Sequence, residues 1–323
     1  MATSRFRVAL GARLASWSAV PWSLGVALGL LIFFTPHPEW HLDLELFREQ
    51  NPILRYPAYA HWLFTLLGLV PEPVAYLGLS LASIGGLYLA VLAFEGAHWM
   101  VFTSFAFAWI LFYGQLDGLV AAGLGLAWWA LRKGRPILQG AGLILASLKP
   151  QLALPAMALL WWWSPSRFRS LWIPGAVLLV SFLTSGFWLP GWLGELQDVD
   201  HLVLLSRNLS FWPLVGWWIF LLWPLILALR LPRDRKLVAV LAGTALTSPY
   251  FPLPSAVILL ALAVPWWTWG IAQLPLFSFA LGGWIYSVGR ILPVSLLLWA
   301  AWPALRAGMT RSPAKDRSRN DVQ

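Results

Sequence analysis

The sequence predicts an all-α, polytopic integral membrane protein of about twelve (10–13) transmembrane helices, with both termini in the cytoplasm. Three observations predict it. Hydrophobic residues make up 59% of the 323-residue chain and charged residues 11%, with a mean hydropathy of +0.71; a soluble domain is nearer a quarter charged. Apolar stretches follow one another along the chain, broken by Gly, Pro and short charged runs. The 24 Trp and 18 Phe suit two long membrane interfaces, where amphipathic rings sit at headgroup level. Disorder is excluded, since it needs low hydrophobicity and high net charge. With no Cys there is no disulfide, thiolate metal site or Cys nucleophile.

The first span is 17–35. It is not a cleaved signal peptide, because Thr35-Pro36-His37-Pro38 offers no small-x-small cleavage site. An outer loop, 36–72, follows. The apolar stretch Ala58–Val70 inside it is short for a span and reads as a re-entrant or interfacial segment. If it crossed, Arg132-Lys133-Gly134-Arg135 would fall outside. The remaining spans are 73–94, 98–113, 116–131, 136–148, 150–163, 171–189, 211–229, 237–248, 253–268, 272–288 and 291–305. The alternative is that 98–113, and not 58–70, fails to cross. Segments 136–148 and 237–248 reach only about 18–20 Å, against roughly 30 Å of hydrocarbon. Such helices open into a protein-lined or wet cavity, because lipid tolerates no exposed backbone ends. Residues 1–305 thus read as a single transmembrane domain, and 306–323 as a basic, disordered cytoplasmic tail.

Orientation comes from five basic clusters, which hold 17 of the 22 Lys and Arg. They are Arg5/Arg7/Arg13, Arg132/Lys133/Arg135, Arg167/Arg169, Arg230/Arg233/Arg235/Lys236 and the tail from Arg306 to Arg319. The positive-inside rule places all five in the cytoplasm. The net charge of +9 then divides into +13 inside and −4 outside. It orients the chain, with anionic lipid the expected neighbour of the cytoplasmic face, and is poor evidence for nucleic acid.

The five basic residues left outside are Arg48, Arg55, Lys149, Arg207 and Arg290. Acids and amides accompany them: Asp43, Glu45 and Glu49 in the first outer loop, Gln115 and Asp117 in the next outer turn. Ionisable groups at membrane depth are costly and are functional candidates by default. Each has a plainer reading. Asp43 reads equally as a solvated loop acid, Lys149 as a side chain snorkelling to the interface, and Asp117 as an N-cap. His37, His41 and His61 are too loosely spaced for a metal site. What favours a site is the combination. Cations would hold a phosphate that must also leave, and a loop carboxylate would deprotonate an attacking hydroxyl. That is glycosyl transfer from a lipid-phosphate sugar at the outer leaflet. A nucleotide-sugar donor is disfavoured, because no Gly-rich phosphate loop exists.

At these residues the sequence resembles glycosyltransferase family 87, of the GT-C superfamily of polytopic enzymes. The resemblance rests on Gly114-Gln115-x-Asp117, Arg132-Lys133-Gly134-Arg135, and Gly140-x-Gly142 leading to Lys149-Pro150. Asp43, Tyr56-Pro57 and Ser248-Pro249-Tyr250 add to it. Members commonly carry Asn after the Gly-Gln pair, where Leu116-Asp117 stands here, and many carry an aromatic and a His after the Ser-Pro, where this chain has Tyr250-Phe251-Pro252.

The resemblance implies a mannosyltransferase-like enzyme with inversion at the anomeric carbon and a polyprenyl-phosphate sugar donor. It puts the general base at Asp43. The donor phosphate and substrate would meet Lys149, Gln115, Asp117, Arg55, Tyr56, Arg207, Tyr250 and Arg290. The acceptor would be a lipid or glycan hydroxyl, and membrane lipid the other partner. No cofactor is expected and no metal motif is visible, although some GT-C relatives use a metal, here placeable between Asp43 and Asp117. The expected location is the plasma (bacterial inner) membrane, with the active site facing outside. The alternative is a twelve-span secondary transporter or lipid-linked-glycan carrier. It would carry ionisable residues near mid-membrane, and half-to-half repeats that the sequence does not show.

Overall fold

The computed structural model describes residues 42–49, 56–195, 208–280 and 288–309. The expected span 17–35 and most of the basic tail lie outside them. All of the described elements are helical, apart from one isolated bridge between Glu95 and Leu262.

Two short helices, α1 (Leu42–Arg48) and α2 (Ala60–Gly68), precede the long α3 (Glu72–Phe94). Helix α3 begins with prolines at its entry and Glu72 in its first turn, the residues that suit a helix N-terminus. It ends on Glu95 in the left-handed region (φ 59°), where the Gly96 N–H returns to the Val91 carbonyl. Its 23 residues span about 34 Å. The chain then runs through α4 (His98–Phe102) and α5 (Phe105–Tyr113) and turns into α6 (Asp117–Arg132). Helices α7 (Pro136–Ala146) and α8 (Pro150–Trp162) follow.

Helices α3 and α6 lie side by side and parallel: Gly118 abuts Ser83 and Gly125 abuts Ala90. A Cβ on Gly118 would sit 2.5 Å from the Ser83 Cα, so only glycine admits this approach. Helix α7 packs antiparallel on α6, with Gly142 facing Ala127 and Gly123 facing Ala146. The rest of the described chain comprises α9 (Trp172–Ser185), α10 (Leu189–Glu195), α11 (Trp212–Val215), α12 (Leu222–Ala228), α13 (Arg233–Thr247), α14 (Ala256–Leu260), α15 (Trp267–Ala280) and α16 (Ile291–Met309). Helix α13 is the central strut of this half and packs on α8 and α16. All of its residues from Lys236 to Thr247 are buried.

The bundle has two distinct ends. At one, Arg132 pairs with Glu95 at 2.6 Å, Arg233 lies over Trp163 and Arg235 over Trp299. Asp234 shares a small cleft there with Phe94, Trp128 and Leu262. The three internal basic clusters therefore meet at one end, where Arg306 lies over Trp302. Away from that end, level with the middle of α3, gather the turns 114–117 and 147–150 and the segment 248–255.

The spans expected from sequence hold unevenly. Among the described residues only α3 is by itself long and apolar enough to cross a membrane; α5 and α6 reach that length together but bend by 118°. Segment 98–113 is broken at Thr103-Ser104, where Thr103 Oγ1 donates to the Trp99 carbonyl and the Ser104 side chain caps α5 by accepting from Phe107 N–H. Segment 211–229 is broken at Gly216 (φ 58°), after which a 3-10 turn, Gly216–Leu221, leads into α12. Segment 253–268 shrinks to a 3-10 turn, Leu253–Ser255, and α14. Stretch 58–70 contains the nine-residue α2, about 13 Å long, too short to cross.

Candidate functional site

Helix α6 starts at the middle of α3. Ser83, the midpoint of Glu72–Phe94, donates its hydroxyl to the Gln115 carbonyl at 3.2 Å. The 114–117 turn is thus roughly 16 Å below the N-terminal end of α3. Helices α7 and α8, with 11 and 13 residues, meet at the same depth. The turn between them brings Lys149 against the start of α6.

There the Lys149 ammonium donates to Gln115 Oε1 at 2.5 Å and to Asp117 Oδ2 at 2.7 Å. The other Asp117 oxygen accepts from the Ser255 hydroxyl. Both charged side chains are buried, at 5% and 0% exposure. Asp117 is the first residue of α6 and bonds to Lys149 and Ser255, and Lys149 does not reach the surface. Both plainer sequence readings therefore give way to a buried ion pair. The network joins α6, the α7–α8 turn and the 3-10 turn before α14. Each Asp117 oxygen accepts one bond within it. Among the described residues no group of three or more His, Asp or Glu side chains comes together.

The ends of the short helices meet the segments 44–49 and 56–68. Tyr59 donates its hydroxyl to the Ser147 carbonyl at 2.8 Å, with Ser147 Oγ equally close. Burial pushes the Tyr59 phenol up to about 12, with the Ser147 bond opposing. Helix α1 descends beside the turn: Gly114, at φ +68°, would place a Cβ 2.9 Å from the Leu44 Cβ. Gly114 is therefore required twice, for its left-handed backbone and for the approach of α1. Helix α1 is held in turn by Phe47 stacked on Phe64 of α2 (4.7 Å), and by Arg48. Arg48 donates to the Leu67 and Val70 carbonyls and faces Glu72 at 3.7 Å.

Asp43 is the second residue of α1, one residue from Leu44; its side chain lies outside the described residues. So do Arg55 and Arg207. Tyr56 is placed, with its ring edge-on to Phe47 and Phe64, in the cluster that seats α1 on α2. Tyr250 is half-buried on the 248–255 segment, and its carbonyl accepts from Ser248.

Arg290 stands at the far side of that segment. Its Nη2 donates to the Asn208 carbonyl at 3.3 Å and its guanidinium faces the Phe211 ring at 5.8 Å. Burial lowers its pKa from the ordinary arginine value. Asn208 fixes the segment, donating to the Pro249 carbonyl and accepting from the N–H groups of Phe251 and Ser210. Asn208, Ser255 and Tyr59 are polar anchors that sequence reasoning missed. No protein-family model, curated protein or solved structure matches the chain.

Proposed function

We propose that the protein is a membrane-embedded glycosyltransferase of GT-C type, moving a hexose from a polyprenyl-phosphate sugar to a lipid or glycan hydroxyl at the outer face. One observation carries the reading: the helix bearing Asp43 packs through Leu44 on Gly114, and the turn that Gly114 opens supplies Gln115 and Asp117 to the buried network with Lys149. Transfer to a hydroxyl needs a carboxylate base and a polar site that holds the leaving phosphate. In the reaction Asp43 takes the acceptor's proton, the hydroxyl attacks the anomeric carbon with inversion, and polyprenyl phosphate leaves towards the cations of this end.

The membrane part of the proposal rests on surface chemistry. Leu69, Leu183, Trp217 and Trp218 are each more than 75% exposed, and many other large apolar side chains face outward with them. Water penalises such a surface, whereas lipid does not. With the segregation of basic residues at one end, this supports a polytopic, inner-membrane chain of about twelve crossings, some of them broken or short.

The depth of the ion pair favours a second reading. A buried charge pair level with the middle of α3 also suits a transporter, whose ionisable residues lie near mid-membrane. Purified protein assayed with polyprenyl-phosphate sugars and a panel of lipid and glycan acceptors separates the two. Wild type is expected to transfer sugar, and Asp43→Asn to lose transfer while remaining folded in membranes. Near-wild-type turnover by Asp43→Asn would sink the assignment; substrate uptake into proteoliposomes without transfer would favour the transporter.

A further inference from the structure

The cations of the outer end are not equivalent. Lys149 is already neutralised by Asp117, and Arg48 is spent on two carbonyls and Glu72. Arg290 is different. It is 8% exposed, and no described carboxylate pairs with it. Its Nε is buried without a hydrogen-bond partner. A guanidinium carries five N–H donors in a planar fork, and one long bond to the Asn208 carbonyl accounts for a single one. A buried charge with no carboxylate partner among the described residues is among the costlier features a fold retains. The chain nevertheless builds a rigid seat around it from Asn208, the segment Asn208 pins, and Phe211. Pro249 is exposed and Tyr250 half-buried, so the seat lies just under the surface.

We propose that Arg290 is the anion-binding residue of this end, a subsite for the phosphate of a lipid phosphate. This deepens the transferase reading and rests on it for the lipid. In that reading Lys149 is not the phosphate clamp; it holds the floor of the site together through Asp117. The fork geometry of Arg290 suits two phosphate oxygens at once. The 248–255 segment links the two sites, since its far end carries Ser255, the Asp117 partner. Phosphate captured at Arg290 is therefore one short segment from the network of Asp117 and Lys149.

The test measures binding, so it does not depend on turnover. The full chain in nanodiscs is titrated with a polyprenyl phosphate, the matching polyprenol and inorganic phosphate, for wild type, Arg290→Gln and Arg290→Lys. Wild type is expected to bind the lipid phosphate at least tenfold more tightly than the alcohol. Arg290→Gln should bind the two alike, and Arg290→Lys should keep part of the difference. Without ligand, Arg290→Gln should melt no lower than wild type, because it removes a buried charge with no described carboxylate partner. A purely structural arginine predicts the reverse: a lower melting temperature with phosphate discrimination intact. That result, or a wild type that does not distinguish phosphate from alcohol, overturns the proposal. Binding of inorganic phosphate without lipid phosphate overturns the lipid assignment. If Arg290→Gln does not fold, Arg290→Lys decides alone: unchanged discrimination counts against the subsite. A protein that binds lipid phosphate through Arg290 but transfers no sugar keeps this inference and loses the transferase reading.

Discussion

The two ends of the bundle carry their cations in opposite ways. At the basic end, arginines lie over tryptophan rings: Arg135 on Trp129, Arg167 on Trp162, Arg235 on Trp299 and Arg306 on Trp302. The Arg132–Glu95 pair there is at least half exposed on both sides. These arginines are close to solvent and make few fixed bonds; Lys236 is the exception at this end, buried and donating to the Ile226, Leu227 and Leu229 carbonyls. At the other end each described cation is buried or clamped: Lys149 to Asp117 and Gln115, Arg48 to the end of α2, Arg290 under Asn208. The same residue types do different work because desolvation differs. An exposed charge costs little and orients a membrane protein; a buried one must be matched by specific partners. The costly end is where chemistry is to be sought.

Breaking the Asp117–Lys149 pair should have the largest effect. Lys149→Met or Asp117→Leu alone leaves one buried charge unmatched and should cost about 3–5 kcal/mol, read as a loss of thermal stability in nanodiscs. The double variant should recover much of it. A double variant no more stable than either single would show that the pair does more than neutralise itself. Gly114→Ala comes next. It forces a side chain into the left-handed region and against Leu44, at a cost of about 1–3 kcal/mol, and should loosen α1 enough to raise protease sensitivity between residues 49 and 56. The smallest effect belongs to the other end. Arg132→Gln should cost less than about 1 kcal/mol, and the loss should shrink further in high salt. A large loss there would erase the contrast between the ends.

Part of this was legible in the sequence. Helix α3 was, within one residue, because Pro71-Glu72-Pro73 and Glu95-Gly96 bracket an unbroken apolar run. Gln115, Asp117 and Lys149 stood out as polar groups in an apolar setting, and they do meet. Their pairing was not legible, since nothing local tells Lys149 that its partner lies 32 residues back. Ser255 was hidden for the same reason, as its bond to Asp117 spans 138 residues. The break at Thr103-Ser104 left a readable sign, a serine before an apolar run, but continuous hydropathy outweighed it. Asn208 carried no local sign, because its role depends on a turn 41 residues away.

The central claim is that the two ends face opposite sides of a membrane, with the buried-charge end outward. The absence of Cys makes the direct measurement clean. Single substitutions Glu45→Cys and Lys133→Cys, both at exposed positions, are labelled with a membrane-impermeant maleimide in intact cells and in inverted vesicles. The account predicts that Glu45→Cys reacts only in cells and Lys133→Cys only in inverted vesicles. Labelling of both positions from the same side would contradict it.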